Sequence, residues 1–395
     1  MLAQRHQIKE AIMIARKSAW MDEDLQIFSD SVAKFFAREA LPHNARWNQE
    51  GKLDRNFWNK AGEAGLLCVT IPEEYGGMGG DFRHEAVIVQ QEQWTHFSGW
   101  GNGVHSGICA PYILSYGTEE QKKRWLPKLA TGELVAAIAM TEPGTGSDLQ
   151  AVRTTAKRDG NEYVINGQKT FITNGQHADL IIVVCKTGDV SGGAKNISLV
   201  VVEADEVTGY RRGRNLDKIG LHAQDTSELF FDDVRVPGDN ILGGDEGRGF
   251  YQLMQQLPRE RLIIALGSVA GMEAAIDVTV DYVKQRKAFG KALLDFQNTQ
   301  FVLADCKAEA VVARTFVDEY IARLVRGELT PEEGAVAKLW ACETHCRVVD
   351  KCLQLFGGYG YMMEYPIGRM YTDARIQRIY GGTSEIMRLL ISRAL

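Results

Sequence analysis

Apolar positions along the first third of the chain recur at helical spacing. Leu25, Phe28, Val32, Phe35 and Phe36 form one stripe and Phe57, Ala61, Gly65 and Leu66 another, which predicts a mostly α-helical domain over residues 1–133. The glycine-rich run Glu74–Gly80 interrupts it as a loop. A helix containing Val87, Ile88 and Val89 follows, then a short one from Lys122 past Leu129 that ends near Thr131-Gly132. Around Leu134 the period changes to β-type runs, punctuated by Asp159-Gly160, Asn166-Gly167 and Asn174-Gly175, all of them hairpin signals. Leu180–Cys185, Ile197–Val202 and Glu228–Phe231 read as strands of a middle β domain, residues 134–244. Their nearly continuous hydrophobicity implies cover on both faces. After Gly243-Gly244 the helical period returns in long segments, Leu262 to Gln285 and Asn298 to Arg326, which predicts a helical bundle over residues 245–395.

One stretch in the last region carries a charged residue into an apolar pattern. Leu257-Pro258-Arg259-Glu260-Arg261-Leu262 is led by proline, a residue preorganised for the first turn of a helix, and Ile263, Leu266, Val269 and Ala270 continue the stripe. The pattern predicts a helix start near Pro258 with Glu260 in its first turn. Arg259 and Arg261 point to other sides, because adjacent residues do not share a helix face. On these residues alone Glu260 is an ordinary helix-start acid.

Composition narrows the possible partners. The 395 residues are 45% hydrophobic and 24% charged, with a net charge of -6, and the acidic balance argues against a nucleic-acid surface. No run of eighteen apolar residues occurs, so no membrane span is expected. Seven scattered cysteines without a secretory signal imply free thiols in a reducing compartment. Cys342, His345 and Cys346 have no second pair at zinc-site spacing, and they are expected to pack a helix rather than bind metal. Arg5, Lys9, Glu10, Arg16 and Lys17 faintly suggest a transit peptide but are read as a lead-in to the first helix.

Three stretches offer chemistry. Met140–Asp148 combines two glycines with hydroxyl residues and suits a phosphate or a heterocycle edge, although a generic turn has the same composition. Gln168–Gly175 places an aromatic ring beside a hydroxyl, as ordinary strand alternation also would. Arg286–Lys291 is a basic break between helices, which is commonly just a solvated turn. A dinucleotide-binding Gly-x-Gly-x-x-Gly fingerprint, a nucleophile elbow and a metalloprotease helix motif are all absent.

These stretches together resemble the acyl-CoA dehydrogenase family, in the form of its long-chain members, over Met21 to Leu395. The resemblance is carried by Ala139–Asp148, Lys218–Thr226, Leu257–Leu262, Arg286–Gly290, Gln354–Gly360 and Ile379–Glu385. It implies an α/β/α subunit with an N-terminal helical domain, a barrel-like middle domain and a C-terminal four-helix bundle. It also implies FAD, a homotetramer, an acyl-CoA substrate and electron-transferring flavoprotein as the acceptor. By position, Ile138, Met140, Thr141, Gly146 and Ser147 would line the flavin or its pyrophosphate, with Phe171 over the ring and Thr173 near N5. Arg286, Phe289, Gln297, Gln354 and Gly358 match positions that hold the cofactor of a neighbouring subunit, and Thr383 and Glu385 match the flavin-binding end of the last motif. Ser147, Arg261 and Tyr380 match substrate-facing positions. Two departures concern contacts: Phe171 stands where many relatives have tryptophan, and Ala288 where some have threonine.

A third departure concerns the base. Many relatives carry the catalytic glutamate where this chain has Gly381, whereas long-chain and isovaleryl-type relatives carry it at the position of Glu260. The resemblance therefore implies that Glu260 removes the α-proton of a medium- to long-chain or branched acyl-CoA while hydride leaves the β-carbon for flavin. The Gly381 N–H and a ribityl hydroxyl would bind the thioester carbonyl. Burial should raise the pKa of Glu260, opposed by the helix N-terminus and Arg261. An oxidase or monooxygenase on the same fold, and a DNA-associated flavoprotein, are the competing readings. The resemblance is compatible with a bacterial cytoplasm and with a mitochondrial matrix.

Overall fold

The computed structural model describes residues 18–188 and 193–395, and the basic lead-in from Arg5 to Lys17 lies outside the described residues. The first part is helical: α1 (Glu23–Phe35), α2 (Asn44–Glu50), α3 (Arg55–Glu63), α4 (Phe82–Trp94), α5 (Ala110–Tyr116) and α6 (Glu119–Ala130). A π-helical turn, His105–Cys109, leads directly into α5. The helix starts follow from capping side chains. Asp22 accepts a hydrogen bond from the Leu25 N–H, and Thr118 and Gln121 form a capping box at α6.

The middle part is a curled sheet. Its strands are β1 (Ala136–Ala139), β2 (Thr155–Asp159), β3 (Glu162–Thr173), β4 (Leu180–Lys186), β5 (Ile197–Glu203), β6 (Tyr210–Asn215) and β7 (Thr226–Pro237), paired in the order β1-β4-β2-β3-β7-β6 with β5 also on β4. β4 is buried along its whole length. Leu180, Ile182 and Val184 join the core shared with α5 and α6, while Ile181, Val183 and Cys185 join the core inside the sheet. The two-faced burial expected from its sequence follows from this alternation.

Of the three expected hairpins, only Asp159-Gly160 forms one, closing β2 onto β3 with Asp159 opposite Glu162. Asn166-Gly167 is instead a bulge inside β3: the register against β7 slips there, and Gly167 (φ +155°) faces Thr154, whose Oγ1 would lie 2.4 Å from an added Cβ. Asn174 (φ +64°) ends β3, and its carboxamide donates to the Gly101 and Ala136 carbonyls at 3.0 Å each, so the chain is tied to other segments rather than turned back on itself.

The last part comprises α7 (Gly249–Gln285), a small hairpin of β8 (Lys287–Ala288) and β9 (Lys291–Ala292), α8 (Gln297–Val325), α9 (Pro331–Gln354), α10 (Pro366–Ala374) and α11 (Ser384–Ser392). α7 is the core helix. It packs against α8, α9 and α4, and its apolar residues share one cluster with those of α1, α4, α8 and α9. The expected start near Pro258 is wrong, because α7 begins at Gly249 and Pro258 sits inside it. An interior proline forfeits only its own backbone hydrogen bond if its ring is accommodated. Gly334 of α9 gives the room, since a Cβ there would stand 2.9 Å from the Pro258 Cα. Glu260 is therefore an interior residue beyond the reach of the helix N-terminus, and the expected macrodipole effect on it is absent.

The apolar length of α7 bears on the expectation of no span. By length and composition it is the one described helix that would suffice to cross a membrane, although 72% of its apolar window is buried inside the protein, as in a core helix. Cys342 and His345 are buried on α9, with the imidazole 2.6 Å from where a Gly271 Cβ would be, so glycine lets α9 approach α7.

Candidate active site

Glu260 lies on the inner side of α7, only 5% exposed, and its Oε1 accepts a 2.9 Å hydrogen bond from the hydroxyl of Tyr112 on α5. Burial lifts its pKa to about 7, and the Tyr112 hydroxyl, Arg259 and Arg261 pull in the opposite direction. Arg259 turns away, donating to the Gly107 carbonyl and the Glu85 carboxylate, and thereby pins α7 to α4 and to the turn before α5. Arg261 is buried and reaches the Gly381 carbonyl at 3.4 Å.

Gly381 and Gly382 form a left-handed turn, φ +65° and +96°, between Tyr380 and the cap of α11. Both carbonyls are held from outside the turn, Gly381 by Arg261 and Gly382 by Lys338 of α9. The Gly381 N–H has no acceptor among the described residues. A Cβ on Gly381 would stand 2.5 Å from the Ile264 Cδ1, so the turn rests directly on the helix that carries Glu260. Tyr380 is 37% exposed beside it. Thr383 caps α11, accepting from the Ile386 N–H at 3.3 Å, whereas the Glu385 side chain is exposed and pairs with Arg388.

The stretches around residues 140–148 and 168–175 come together through a buried ion pair. Lys169 Nζ contacts Glu142 Oε1 at 2.8 Å and donates to the Met140 and Val184 carbonyls. Glu142 also accepts from the Arg153 and Thr154 N–H groups, at 2.7 and 3.0 Å. Burial alone would raise the carboxyl of Glu142, but Lys169 and these donors hold it below its usual value. The Thr170 N–H completes the junction on the Thr141 carbonyl at 2.9 Å.

Phe171 then sits in a second bulge of β3, φ +60° and 67% exposed, so its ring stands off the sheet instead of following simple alternation. Thr173 is half-buried two residues on, while Ile138, Met140 and Thr141 are half-buried and Gly146 and Ser147 exposed. The Gly146 and Ser147 N–H groups make no hydrogen bond among the described residues, and an added Cβ at Gly144 meets nothing within 4 Å. An aromatic face, free backbone donors and open space are the features a flavin and its pyrophosphate require.

The other expected cofactor contacts gather at the far end of α7. Arg286 follows its last turn, with its guanidinium 5.4 Å from the Tyr359 ring centre, and Arg286, Gln354 and Gly358 line one open cleft of about 630 Å³ with Tyr282 and Phe356. Phe289 is 95% exposed at the tip of the β8–β9 hairpin, and Gln297 is exposed at the start of α8. Arg286 directly follows the last residue of α7, 26 positions beyond Glu260, about 39 Å along the chain at the rise of an α-helix. The two groups of candidates therefore form two separate loci on one chain.

Tyr112, Glu142, Lys169 and Lys338 were not singled out as functional from the sequence. Tyr112 lies 148 residues from Glu260, and Glu142 and Lys169 look like surface charges until the sheet closes over them.

Family models for the acyl-CoA dehydrogenase N-terminal, middle and C-terminal domains match residues 22–133, 137–234 and 247–395. The chain is 48% identical over 370 residues to the mitochondrial long-chain specific acyl-CoA dehydrogenase of Sus scrofa, covering 93% of this chain and 86% of that protein. It is 37% identical over 381 residues to the mitochondrial isovaleryl-CoA dehydrogenase of Solanum tuberosum, covering 96% and 92%. The crystal structure of an acyl-CoA dehydrogenase from Geobacillus kaustophilus superposes with a TM-score of 0.93 at 48% identity, covering 96% of this chain and 99% of that one. With all three parts of the chain matched and the same fold throughout, the chain belongs to the acyl-CoA dehydrogenase family of FAD-dependent oxidoreductases.

Proposed function

We propose that this chain dehydrogenates medium- to long-chain acyl-CoA at the α,β bond, with Glu260 as the base. A buried carboxylate with a pKa near 7, beside a glycine turn that presents a free N–H, is the observation that carries the reading. At neutral pH a large fraction of Glu260 is ionised, yet its conjugate acid is stable enough to keep a proton taken from carbon. The Gly381 N–H donates to the thioester oxygen, where charge builds as the α-proton leaves. Arg261 and Lys338 hold the two glycine carbonyls and keep that donor aimed.

FAD, held by Ile138, Met140, Thr141, Gly146, Ser147, Phe171, Thr173, Thr383 and Glu385, supplies the hydride acceptor when bound. Ser147, Arg261 and Tyr380 face the substrate. Arg286, Phe289, Gln297, Gln354 and Gly358 contact the cofactor of a neighbouring subunit, since about 39 Å of helix separates them from Glu260. That separation supports a homo-oligomer, and the family resemblance supports a tetramer that passes electrons to electron-transferring flavoprotein.

The relative named long-chain specific is more similar to this chain than the one named for isovaleryl-CoA, which supports the longer straight-chain substrate. The test is Glu260→Gln: acyl-CoA should still bind and perturb the flavin spectrum, while reduction falls by roughly 10²–10⁴-fold. Reduction at close to the wild-type rate would end this reading. A kcat/KM series from butyryl- to stearoyl-CoA measures the length preference.

A further inference from the structure

We propose that Tyr112 is a positioning residue for the proton abstraction: its hydroxyl holds Oε1 of Glu260 and leaves Oε2 as the oxygen that meets the substrate. The inference rests on Glu260 being the base. Tyr112 is fully buried, and its hydroxyl hydrogen bond to Glu260, at 2.9 Å, joins α5 to α7. Phenylalanine would fill the same core space, and a buried hydroxyl is tolerated only with a partner. Here that partner is the carboxylate.

The two helices are clamped on either side of this bond. Arg259 donates to the Gly107 carbonyl ahead of α5, and the Tyr116 hydroxyl, one turn beyond Tyr112, donates to the Gln252 carbonyl at 3.2 Å. The rings of Tyr112 and Tyr116 meet edge to face at 5.9 Å. With the phenol fixed at both ends, a long and otherwise rotatable glutamate side chain is confined to one orientation. The proton leaves the α-carbon for Oε2, and the Tyr112 proton stays on its own oxygen, donating throughout.

A donor on the carboxylate also favours its ionised form. The groups that act electrostatically with Glu260 are Cys109, Tyr112 and Tyr116 from the α5 segment and Arg259 and Arg261 from α7. Only Tyr112 among them donates a hydrogen bond to the Glu260 side chain.

The experiment uses the purified holoenzyme and follows flavin reduction by palmitoyl-CoA in single turnover across pH. Tyr112→Phe should move the acid limb up by about one pH unit, a tenfold loss of rate below the limb. Above it the rate should recover to within a few-fold of wild type. In a Glu260→Gln background the same change should have no effect. Replacing Tyr112 with 3,5-difluorotyrosine, a stronger donor of nearly the same shape, should move the limb down, and it answers the question if the phenylalanine variant folds poorly. An unmoved limb in both Tyr112 variants overturns the positioning role while leaving Glu260 as the base. Full reduction by Glu260→Gln overturns both.

Discussion

At the scale of single residues, the energetic cost of burying the proposed base can be read as stability. Glu260 rises from 4.5 to about 7 in the fold. Between those values the folded chain holds a proton that the unfolded chain has released, so stability falls as pH rises through that window and is level above it. At one pKa unit per 1.36 kcal/mol the cost reaches about 3 kcal/mol, an upper figure for a group with flexible surroundings. Glu260→Gln removes the titration. Its stability relative to wild type should therefore be greater at pH 8 than at pH 4.5, and an equal difference at both pH values in urea titrations would contradict the assignment.

Gly381 gives a second residue-scale expectation. Alanine there must adopt φ +65° and displace the Ile264 Cδ1 from 2.5 Å. Gly381→Ala should lower Tm and slow flavin reduction, and adding Ile264→Val should recover part of the stability only. Full recovery would show that crowding alone, and not backbone conformation, makes glycine necessary. The sequence made both of these positions visible, because a missing glutamate at 381 directs attention to 260. It could not reveal Tyr112, whose relation to Glu260 exists only once two distant helices are packed.

At the scale of elements, β4 was legible because every one of its residues is apolar apart from the terminal Lys186, and strand alternation sends successive side chains to opposite cores. The start of α7 was not. Pro258 has the local grammar of a first turn, but tertiary packing against Gly334 overrides it. Gly334→Ala should be destabilising by about 1–3 kcal/mol in chemical unfolding, although alanine is the better helix former. A stabilised variant would mean that α9 moves away from Pro258 at no cost. Asn166-Gly167 misled for a related reason: the same residues that turn a hairpin also relieve a bulge in a long strand.

The Glu142–Lys169 pair is an element-scale device, since it joins the end of β1 to β3. Lys169→Met leaves a buried carboxylate without its cation, a loss of about 3–5 kcal/mol. FAD affinity should fall with it, because the Thr141–Ser147 loop loses its anchor. Unfolding and cofactor titration of the same variant measure the two effects together, and a fully stable variant with normal FAD binding would refute the role.

At the scale of the whole molecule, the two proposed loci, one around Glu260 and one beyond the end of α7 about 39 Å along it, are expected to couple assembly to cofactor retention. Arg286→Ala should weaken FAD binding and oligomer association together, as expected for a ligand bridging subunits. Analytical ultracentrifugation with absorbance at the flavin band follows both at once, and a monomer that keeps its flavin would refute the bridging. The three-part architecture was legible because the hydrophobic period changes twice, near residues 134 and 244. The extent to which the first and last parts share one core was not, because no local pattern says which helix faces which.

The glycine turn at residue 381 also bears on how the site could change by substitution. With Glu260 as the proposed base, moving that role to 381 needs two changes: a glutamate at 381 added first crowds Ile264, while loss of Glu260 first removes the proposed base. Single substitutions are therefore expected to give no efficient intermediate between the two arrangements. Descendants of this chain are therefore expected to vary the walls of the acyl site many times over before they relocate its base.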